Sequence, residues 1–235
     1  THTDIAIQLW NTDDTRITNN NVMNNFNGIM LSESSGNSII SNNIEENAAG
    51  GIKLWSSSNN NSVVENNLKY NSDGVMVGSS SNNNILSKNN VIANNRYGIW
   101  IGYSSNSIIL KNNITNNHYG IELRESSNNL ILENNIASNK YGINFGLNSS
   151  SNSICHNNFL DNNILQVYTP DSVNVWDDGY PSGGNYWSDY ADVDLYSGPF
   201  QNETGSDGIG DMPYVIDGDN ADRYPLMKPY PWDPH

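Results

Sequence analysis

Cysteine, basic residues and long apolar runs are all scarce in this chain of 235 residues. The single cysteine, Cys155, excludes a disulfide-linked scaffold and any metal site that needs several cysteines. Lys and Arg number 10 against 25 Asp and Glu, a formal net charge of −15. This shortage argues against a nucleic-acid partner, because phosphate backbones are bound by clustered Lys and Arg. No apolar run approaches the roughly 18 residues of a membrane-spanning helix, so we expect no membrane span.

Proline is absent from the first 163 residues, and all 8 prolines lie in the remainder. Asparagine has the opposite distribution, since 41 of its 45 residues precede position 164. The remainder also carries 13 of the 25 acidic residues but 2 of the 10 basic ones. These shifts predict a repeat region, residues 1–165, and an acidic, aromatic cap rich in Pro and Gly, residues 166–235.

Three markers recur in the repeat region at intervals of 22 to 24 residues. An Asn pair followed by an apolar residue occurs at Asn20-Asn21, Asn42-Asn43, Asn66-Asn67, Asn89-Asn90, Asn112-Asn113, Asn134-Asn135 and Asn157-Asn158, each with a third Asn a few positions later. A Gly followed by an aliphatic residue occurs at Gly28, Gly51, Gly74, Gly98, Gly120 and Gly142. A serine step occurs at Ser34, Ser57, Ser80, Ser104, Ser126 and Ser150. A fixed period of this length is the signature of a solenoid.

The apolar residues within a repeat alternate with others, as in Gly98-Ile99-Trp100-Ile101. Alternation is the period of a strand, and no stretch keeps the 3.6-residue period of a helix. Three short strands per repeat, separated by Asn, Gly and Ser, describe one coil of a parallel β-helix. We therefore predict an all-β solenoid of about seven coils of 22–24 residues, stacked at the strand spacing of about 4.8 Å.

The recurrent asparagines are interpreted as structural. Turns between the faces need residues that tolerate left-handed backbone angles, and Asn is the best choice after Gly. Equivalent turns lie above one another, so each amide can donate to one neighbouring coil and accept from the other. Asp4–Ile7 fits the Gly-aliphatic position of a further coil, which predicts an open N-terminal end. Either upstream coils precede it, or it associates end to end with another chain.

The C-terminal region carries a more specific pattern. It reads Gly183-Gly184-Asn185-Tyr186-Trp187-Ser188-Asp189-Tyr190, then Asp207-Gly208-Ile209-Gly210-Asp211-Met212-Pro213-Tyr214, then Asp222-Arg223-Tyr224-Pro225-Leu226-Met227. These motifs resemble the C-terminal segment of NosD-like β-helix proteins, a family of copper-binding, carbohydrate-binding or sugar-hydrolase type repeats with many archaeal cell-surface members. The resemblance implies a right-handed parallel β-helix at the cell surface or secreted, or periplasmic in a bacterium. It does not imply one activity, because a fold does not fix a function.

The resemblance also implies a calcium site in the cap, because the family's Asp-Gly-Ile-Gly-Asp segment follows aspartates at alternate positions, like half an EF-hand loop. Calcium takes six to eight oxygen ligands. In this chain they would come from Asp207, the Ile209 carbonyl and Asp211, with Asp192 and Asp194 filling the position where Gly205 lacks a side chain. The alternative is a solvated acidic loop whose aspartates cap turns.

Copper is a poorer candidate, because copper sites need clustered His, Cys or Met. The four histidines, His2, His118, His156 and His235, are scattered along the chain. Cys155 falls in an apolar column with Ile40, Val64, Leu110 and Leu132, which favours a buried structural cysteine.

One outward face of the predicted solenoid combines aromatic and basic side chains. The residues one and three positions after each Gly are apolar and point inward, so those two and four positions after it point outward. Aromatic rings stack on sugar rings, and cations pair with carboxylate or sulfate groups. The predicted glycan-binding residues are Lys53, Trp55, Tyr97, Trp100, Tyr119, Arg124 and Tyr141. The alternative is that the tryptophans cover neighbouring glycines and the tyrosines pack at a corner.

We therefore predict a cell-surface or secreted scaffold that binds anionic polysaccharide without cleaving it. The first alternative is a lyase, epimerase or hydrolase acting on a uronate-containing glycan, with His118 as base and Arg96 and Lys140 neutralising the sugar carboxylate. Glu122 and Glu125 are expected to pair with Arg124, which leaves no dominant pair of acids for hydrolysis. The second alternative is a subunit of a surface layer or filament.

Overall fold

A computed structural model describes residues 3–232 of the chain, and within this range it contains strands and turns but no helix. Each coil contributes three strands. In chain order they are β1 (Ile5–Trp10), β2 (Arg16–Thr18), β3 (Asn21–Met23), β4 (Asn27–Ser32), β5 (Ser38–Ile40), β6 (Asn43–Glu45), β7 (Gly50–Trp55), β8 (Ser62–Val64), β9 (Asn67–Lys69), β10 (Asp73–Gly78), β11 (Ile85–Ser87), β12 (Asn90–Ile92), β13 (Tyr97–Gly102), β14 (Ile108–Leu110), β15 (Asn113–Thr115), β16 (Tyr119–Arg124), β17 (Leu130–Leu132), β18 (Asn135–Ala137), β19 (Tyr141–Phe145), β20 (Ser153–Cys155), β21 (Asn158–Leu160), β22 (Leu165–Tyr168) and β23 (Tyr186–Trp187). The cap adds β24 (Tyr196–Ser197), β25 (Glu203–Thr204), β26 (Tyr214–Val215) and β27 (Ala221–Asp222).

The strands of the coils form three parallel sheets that run the length of the solenoid. Sheet A has the order β1-β4-β7-β10-β13-β16-β19-β22 and contains the longest strands. Sheet B has the order β2-β5-β8-β11-β14-β17-β20, and sheet C has the order β23-β21-β18-β15-β12-β9-β6-β3. Every third strand therefore pairs with its equivalent in the next coil, which confirms the predicted parallel β-helix. Residues 3–232 contain no helix with the length and apolarity that crossing a membrane requires.

The core is a set of aliphatic columns between the three sheets. Each full coil in the middle of the solenoid supplies one inward residue from sheet B, one from sheet C and two from sheet A. In one coil these are Ile109, Ile114, Ile121 and Leu123, all with no exposed surface. The two sheet A columns are the residues one and three positions after each Gly, so the predicted inward positions are confirmed.

Buried asparagines form hydrogen-bonded ladders inside the corners. In the ladder that contains Asn89, Asn112 and Asn134, the Asn112 side-chain oxygen accepts from the Asn89 backbone N–H at 2.9 Å and from the Asn89 amide at 3.0 Å. The Asn112 amide in turn donates to the Asn134 side-chain oxygen and to the Leu86 carbonyl, both at 2.9 Å. The structural interpretation of these asparagines is therefore confirmed.

The left-handed corner residues are not the buried asparagines, contrary to the prediction. Glu65 (φ 55°) and Glu133 (φ 53°) adopt this conformation, and each precedes a buried Asn. The side chain of Asn66 or Asn134 donates to the carbonyl two positions earlier, across the left-handed residue. Because this bond holds the corner, the left-handed position itself accepts many residue types.

In part of the solenoid, the buried serine lies one position away from the one that the serine step predicted. The serines buried at this step are Ser34, Ser58, Ser81, Ser104, Ser126 and Ser149. Ser57 and Ser80 instead occupy left-handed corners, with φ of 62° and 64°. A run of serines does not specify by itself which hydroxyl points inward.

Coil-like pairing continues past residue 165. β22 adds to sheet A, Val175 bridges Ser153 beside sheet B, and β23 adds to sheet C. The ladder through Asn157 also continues, to Asn185 and then to the Asp222 carboxylate. Trp176 and Trp187 close this end of the core and are each 1% exposed. An irregular segment follows, in which strands pair two by two.

Candidate functional site

The outward surface of sheet A combines Trp and Tyr side chains with the basic residues Lys53 and Arg124. Parallel pairing places Trp100 beside Met76 on one side and Glu122 on the other. The same register aligns Tyr97, Tyr119 and Tyr141. We call the surface formed by Lys53, Trp55, Tyr97, Trp100, Tyr119, Arg124 and Tyr141 the aromatic face. The structure brings all seven predicted glycan-binding residues together on it.

Two tryptophans form one end of the aromatic face. The Trp55 and Trp100 rings lie 5.9 Å apart between centroids, with planes 20° apart. Both contact Gly78, where a Cβ atom would collide with Trp55, and Trp100 also covers Gly102. Trp55 and Trp100 therefore cover the glycines. Both side chains are nevertheless only half-buried, so part of each ring remains open to a ligand. The Lys53 ammonium lies 4.3 Å from the Trp55 ring centroid.

A ladder of tyrosines forms the other end. The Tyr97 and Tyr119 ring centroids are 5.6 Å apart, and those of Tyr119 and Tyr141 are 5.1 Å apart. The His118 ring lies 4.6 Å from Tyr119 and 6.0 Å from Tyr141. Partial burial and the nearby Lys140 lower the pKa of His118, so its imidazole is neutral at pH 7. A neutral imidazole can accept a proton.

Arg96 is held by a buried carboxylate. Its Nε and Nη2 donate to the two oxygens of Asp73 at 2.9 and 2.6 Å, and Asp73 is 2% exposed. The Arg96 guanidinium also lies 4.6 Å from the Tyr97 ring. This hydrogen bonding and charge attraction raise the pKa of Arg96 despite partial burial. Both Arg96 and Lys140 are exposed, but the charge of Arg96 is balanced by Asp73, whereas Lys140 makes no ion pair within 4.0 Å in residues 3–232.

Glu122 is a central residue of the face whose importance the sequence did not reveal. It lies next to Trp100 and Asn144 in the register and is only 9% exposed. The expected ion pair with Arg124 does not form, since the ion pairs within 4.0 Å in residues 3–232 are Lys88–Glu65, Arg96–Asp73, Lys111–Glu133 and Arg223–Asp177. Burial raises the pKa of Glu122, although a hydrogen bond from Asn144 and attraction by Arg124 and Arg96 oppose this.

Further aromatic residues extend the surface toward both ends of the solenoid. Trp10 in β1 aligns with Trp55 through Ser32 and is 69% exposed. Tyr168 in β22 pairs with Asn144 and is half-exposed. Neither follows a Gly at the repeat spacing, so the marker used on the sequence could not find them.

The predicted calcium residues lie in the irregular segment of the cap. Backbone N–H groups already occupy several of their oxygens: Asp194 accepts from Asp207 and Gly208, and Asp211 accepts from Leu195. Asp207 also accepts from the Ile209 N–H, and Asp192 accepts from the N–H of the residue that follows it. Between residues 3 and 232, no three His, Cys, Asp or Glu side chains are arranged to hold a metal ion. The calcium assignment stays a prediction.

Residues 6–192 match the family described as periplasmic copper-binding protein (NosD). The chain therefore belongs to the NosD family, as its C-terminal motifs suggested.

Among solved structures, the chain is similar to the periplasmic alginate epimerase AlgG, with 22% identity and a TM-score of 0.66 over 74% of this chain and 47% of that one. It is also similar to the A-module of the mannuronan C-5 epimerase AlgE6 of Azotobacter vinelandii, with 16% identity and a TM-score of 0.55 over 72% of this chain and 57% of that one. At these identities the likeness shows the parallel β-helix fold, and the chain spans less than two thirds of either structure. No curated protein matches the chain.

The residues present do not fit the copper ion that the family description implies. Cys155 is buried, and burial raises the pKa of its thiol to about 12. His156 contacts the Ser182 carbonyl at 3.1 Å and stacks on Tyr230, while His118 lies on the aromatic face. His2 and His235 lie outside the described residues. A copper site needs such donors to converge, and within residues 3–232 the His and Cys side chains do not.

The predicted apolar column of Cys155 faces outward rather than into the core. Ile40, Val64, Leu110 and Leu132 are half-buried on the outer side of sheet B, whereas Ile154 fills the core position. Cys155 is nonetheless 7% exposed, so the predicted buried cysteine is confirmed.

Proposed function

We propose that this protein binds an anionic polysaccharide along the aromatic face of sheet A. One observation carries the proposal, namely the continuous row of half-exposed rings, Tyr97, Tyr119 and Tyr141, with unpaired cations beside it. Ring faces stack on the apolar faces of sugars, and cations attract their carboxylate or sulfate groups.

The distribution of charge on the face supports an anionic ligand despite the acidic chain. The sheet A strands contain two carboxyl groups, Asp73 and Glu122. Asp73 is neutralised by Arg96, so Lys53, Arg124 and Lys140 are the cations available to a ligand. Most other acidic residues lie at corners or in the cap, away from this surface.

The proposed setting is outside the cytoplasm, either periplasmic, secreted or at the cell surface. The periplasmic description of the NosD family and of the alginate epimerase supports this setting. The same resemblance supports a uronate polymer such as alginate as the first ligand to test.

The proposal is tested by measuring binding of polymannuronate to the wild type and to Trp100→Ala by calorimetry. We expect the variant to lose about tenfold in affinity, the scale of one stacking contact of about 1.4 kcal/mol. Trp232→Ala is the matched control, because Trp232 lies against Lys88 and Lys111 on a different surface. Unchanged affinity in Trp100→Ala would show that the polysaccharide does not bind at Trp100, which contradicts the proposed site.

A second candidate function is an epimerase or lyase at the same face. The neutral His118 imidazole between Tyr119 and Tyr141 favours it, because removal of a sugar proton needs a base. Incubation with polymannuronate, followed by NMR for guluronate and by ultraviolet absorbance for unsaturated uronate, tests it. If the protein is an enzyme, the wild type forms one of these products and His118→Gln does not. If the wild type forms neither product, the proposed function is binding alone.

A further inference from the structure

Glu122 lies at the centre of the aromatic face, where a bound sugar would contact it. Its neighbours in the register are Trp100 in β13 and Asn144 in β19. Its charge also acts on Tyr97 and Tyr119, whose pKa values are raised by burial first and by Glu122 second. A carboxyl group among three aromatic rings faces whatever sugar stacks on them.

The two carboxyl groups of the sheet A strands are in different situations. Asp73 has a bidentate partner in Arg96, whereas Glu122 has no ion-pair partner within 4.0 Å in residues 3–232. Arg124 and Arg96 attract Glu122 only from beyond ion-pair distance. The negative charge of Glu122 is therefore not cancelled by an ion pair, and the residue keeps 9% of its surface exposed on this face.

We infer that Glu122 selects among anionic polysaccharides: while ionised it accepts hydrogen bonds from sugar hydroxyls and rejects a sugar carboxylate at the centre of the face. This inference rests on the proposed function. A carboxylate is an acceptor only, so a hydroxyl can donate to it and a second carboxylate cannot. The available cations lie around this centre, on the strands or corners of β7, β16 and β19. The arrangement favours a polymer in which uncharged sugars separate the uronates over one in which every sugar is charged.

The preference depends on pH with a definite sign. Protonation turns Glu122 into a hydrogen-bond donor that can accept a carboxylate nearby. A bound carboxylate further disfavours the ionised form, so binding of a fully charged polymer takes up a proton and strengthens as pH falls. On the side of β13 and β10, the groups near Glu122 are Tyr97 and the Arg96–Asp73 ion pair. On β16 itself they are Tyr119 and Arg124. On the side of β19 the nearest group is Asn144, and Lys140 and Tyr141 lie farther away. His118 is a second base on the same face, so it needs its own variant.

The test compares two polymers on the folded full chain at pH 7 and pH 5. Polymannuronate carries a carboxylate on every sugar, and hyaluronan alternates uronate with an uncharged amino sugar. At pH 7 we expect the wild type to prefer hyaluronan by about tenfold, corresponding to a one-unit change in a pKa on binding, and we expect this preference to be smaller at pH 5. Glu122→Gln should bind both polymers alike at both pH values. Glu125→Gln, which removes an exposed carboxyl at the adjacent corner, should behave as the wild type.

The possible failures are distinguishable. If the wild type binds neither polymer at either pH, the proposed function fails. If it binds both equally at pH 7, or if Glu122→Gln keeps the wild-type preference, only the selection by Glu122 is refuted. If His118→Gln rather than Glu122→Gln removes the pH dependence, the imidazole is the titrating group and the inference is wrong. An unchanged melting temperature shows that the variants remain folded.

Discussion

Replacing one asparagine of an adjacent pair tests whether the amide ladders hold the solenoid together. Asn112 and Asn113 are neighbours in sequence but face opposite ways: Asn112 is fully buried in the inner ladder, and Asn113 is half-buried in an outer one. Substitution to Ala removes the same atoms at both positions. Only the surroundings differ, so the two variants control for each other.

The expected magnitudes follow from the bonds lost. Asn112→Ala removes two donated bonds, to Leu86 and Asn134, and two accepted ones, from the Asn89 backbone and side chain. At about 1 kcal/mol per buried bond, with more where a buried group loses its only partner, the loss is about 4 kcal/mol. Asn113→Ala removes bonds to the side chains of two neighbouring outer asparagines, at 2.8 and 2.9 Å. Water can replace these partly exposed bonds, so we expect a loss below about 1 kcal/mol.

Equilibrium urea unfolding, followed by circular dichroism, measures both losses. A loss of about 4 kcal/mol is a large part of the roughly 5–15 kcal/mol that stabilises a typical domain. Equal losses in the two variants would refute the reasoning, because they would show that the inner ladder contributes no more than a surface amide does.

Three further outcomes are expected. Asp222→Ala removes the acceptor of the Asn185 and Tyr224 backbone N–H groups and of the Trp187 indole; it should destabilise the cap by at least about 3 kcal/mol, seen as faster hydrogen exchange there, and unchanged exchange would contradict this. If the cap binds calcium, a chelator lowers the melting temperature, and an unaltered melting curve removes the assignment. If the end formed by β1 associates with another chain, light scattering gives a mass that increases with concentration, whereas a constant monomer mass excludes association.

The period of the sequence predicted the fold because a β-helix repeats one set of contacts. Every coil needs a small residue at the Gly position, two inward aliphatic residues after it and a buried amide at the corner, so all three recur in one register. The direction in which Ile99, Trp100 and Ile101 point followed from strand alternation alone. The aromatic face could be predicted for the same reason.

The fine structure of the corners and of the face could not be predicted in this way. The left-handed residue can be Glu65 or Glu133 as readily as Asn, because the amide of the following buried Asn bonds across the turn. The ion pair of Arg96 and Asp73 joins residues 23 positions apart. Glu122 is instead a nearly buried carboxyl group without an ion-pair partner within 4.0 Å in residues 3–232. Charges on adjacent coils have several possible partners, and side-chain length and burial decide between them.

The most direct test of polysaccharide binding at the aromatic face is the affinity of Tyr119→Ala for polymannuronate oligosaccharides at pH 5, measured by calorimetry beside Tyr196→Ala. Tyr119 is the middle ring of the tyrosine ladder, whereas Tyr196 is an exposed tyrosine of the cap. We predict that Tyr119→Ala weakens binding at least about tenfold, since it removes one stacking contact with the sugar and the three ring contacts with Tyr97, His118 and Tyr141. Tyr196→Ala should bind as the wild type does. Equal affinities in both variants, or no binding by the wild type, would contradict the account.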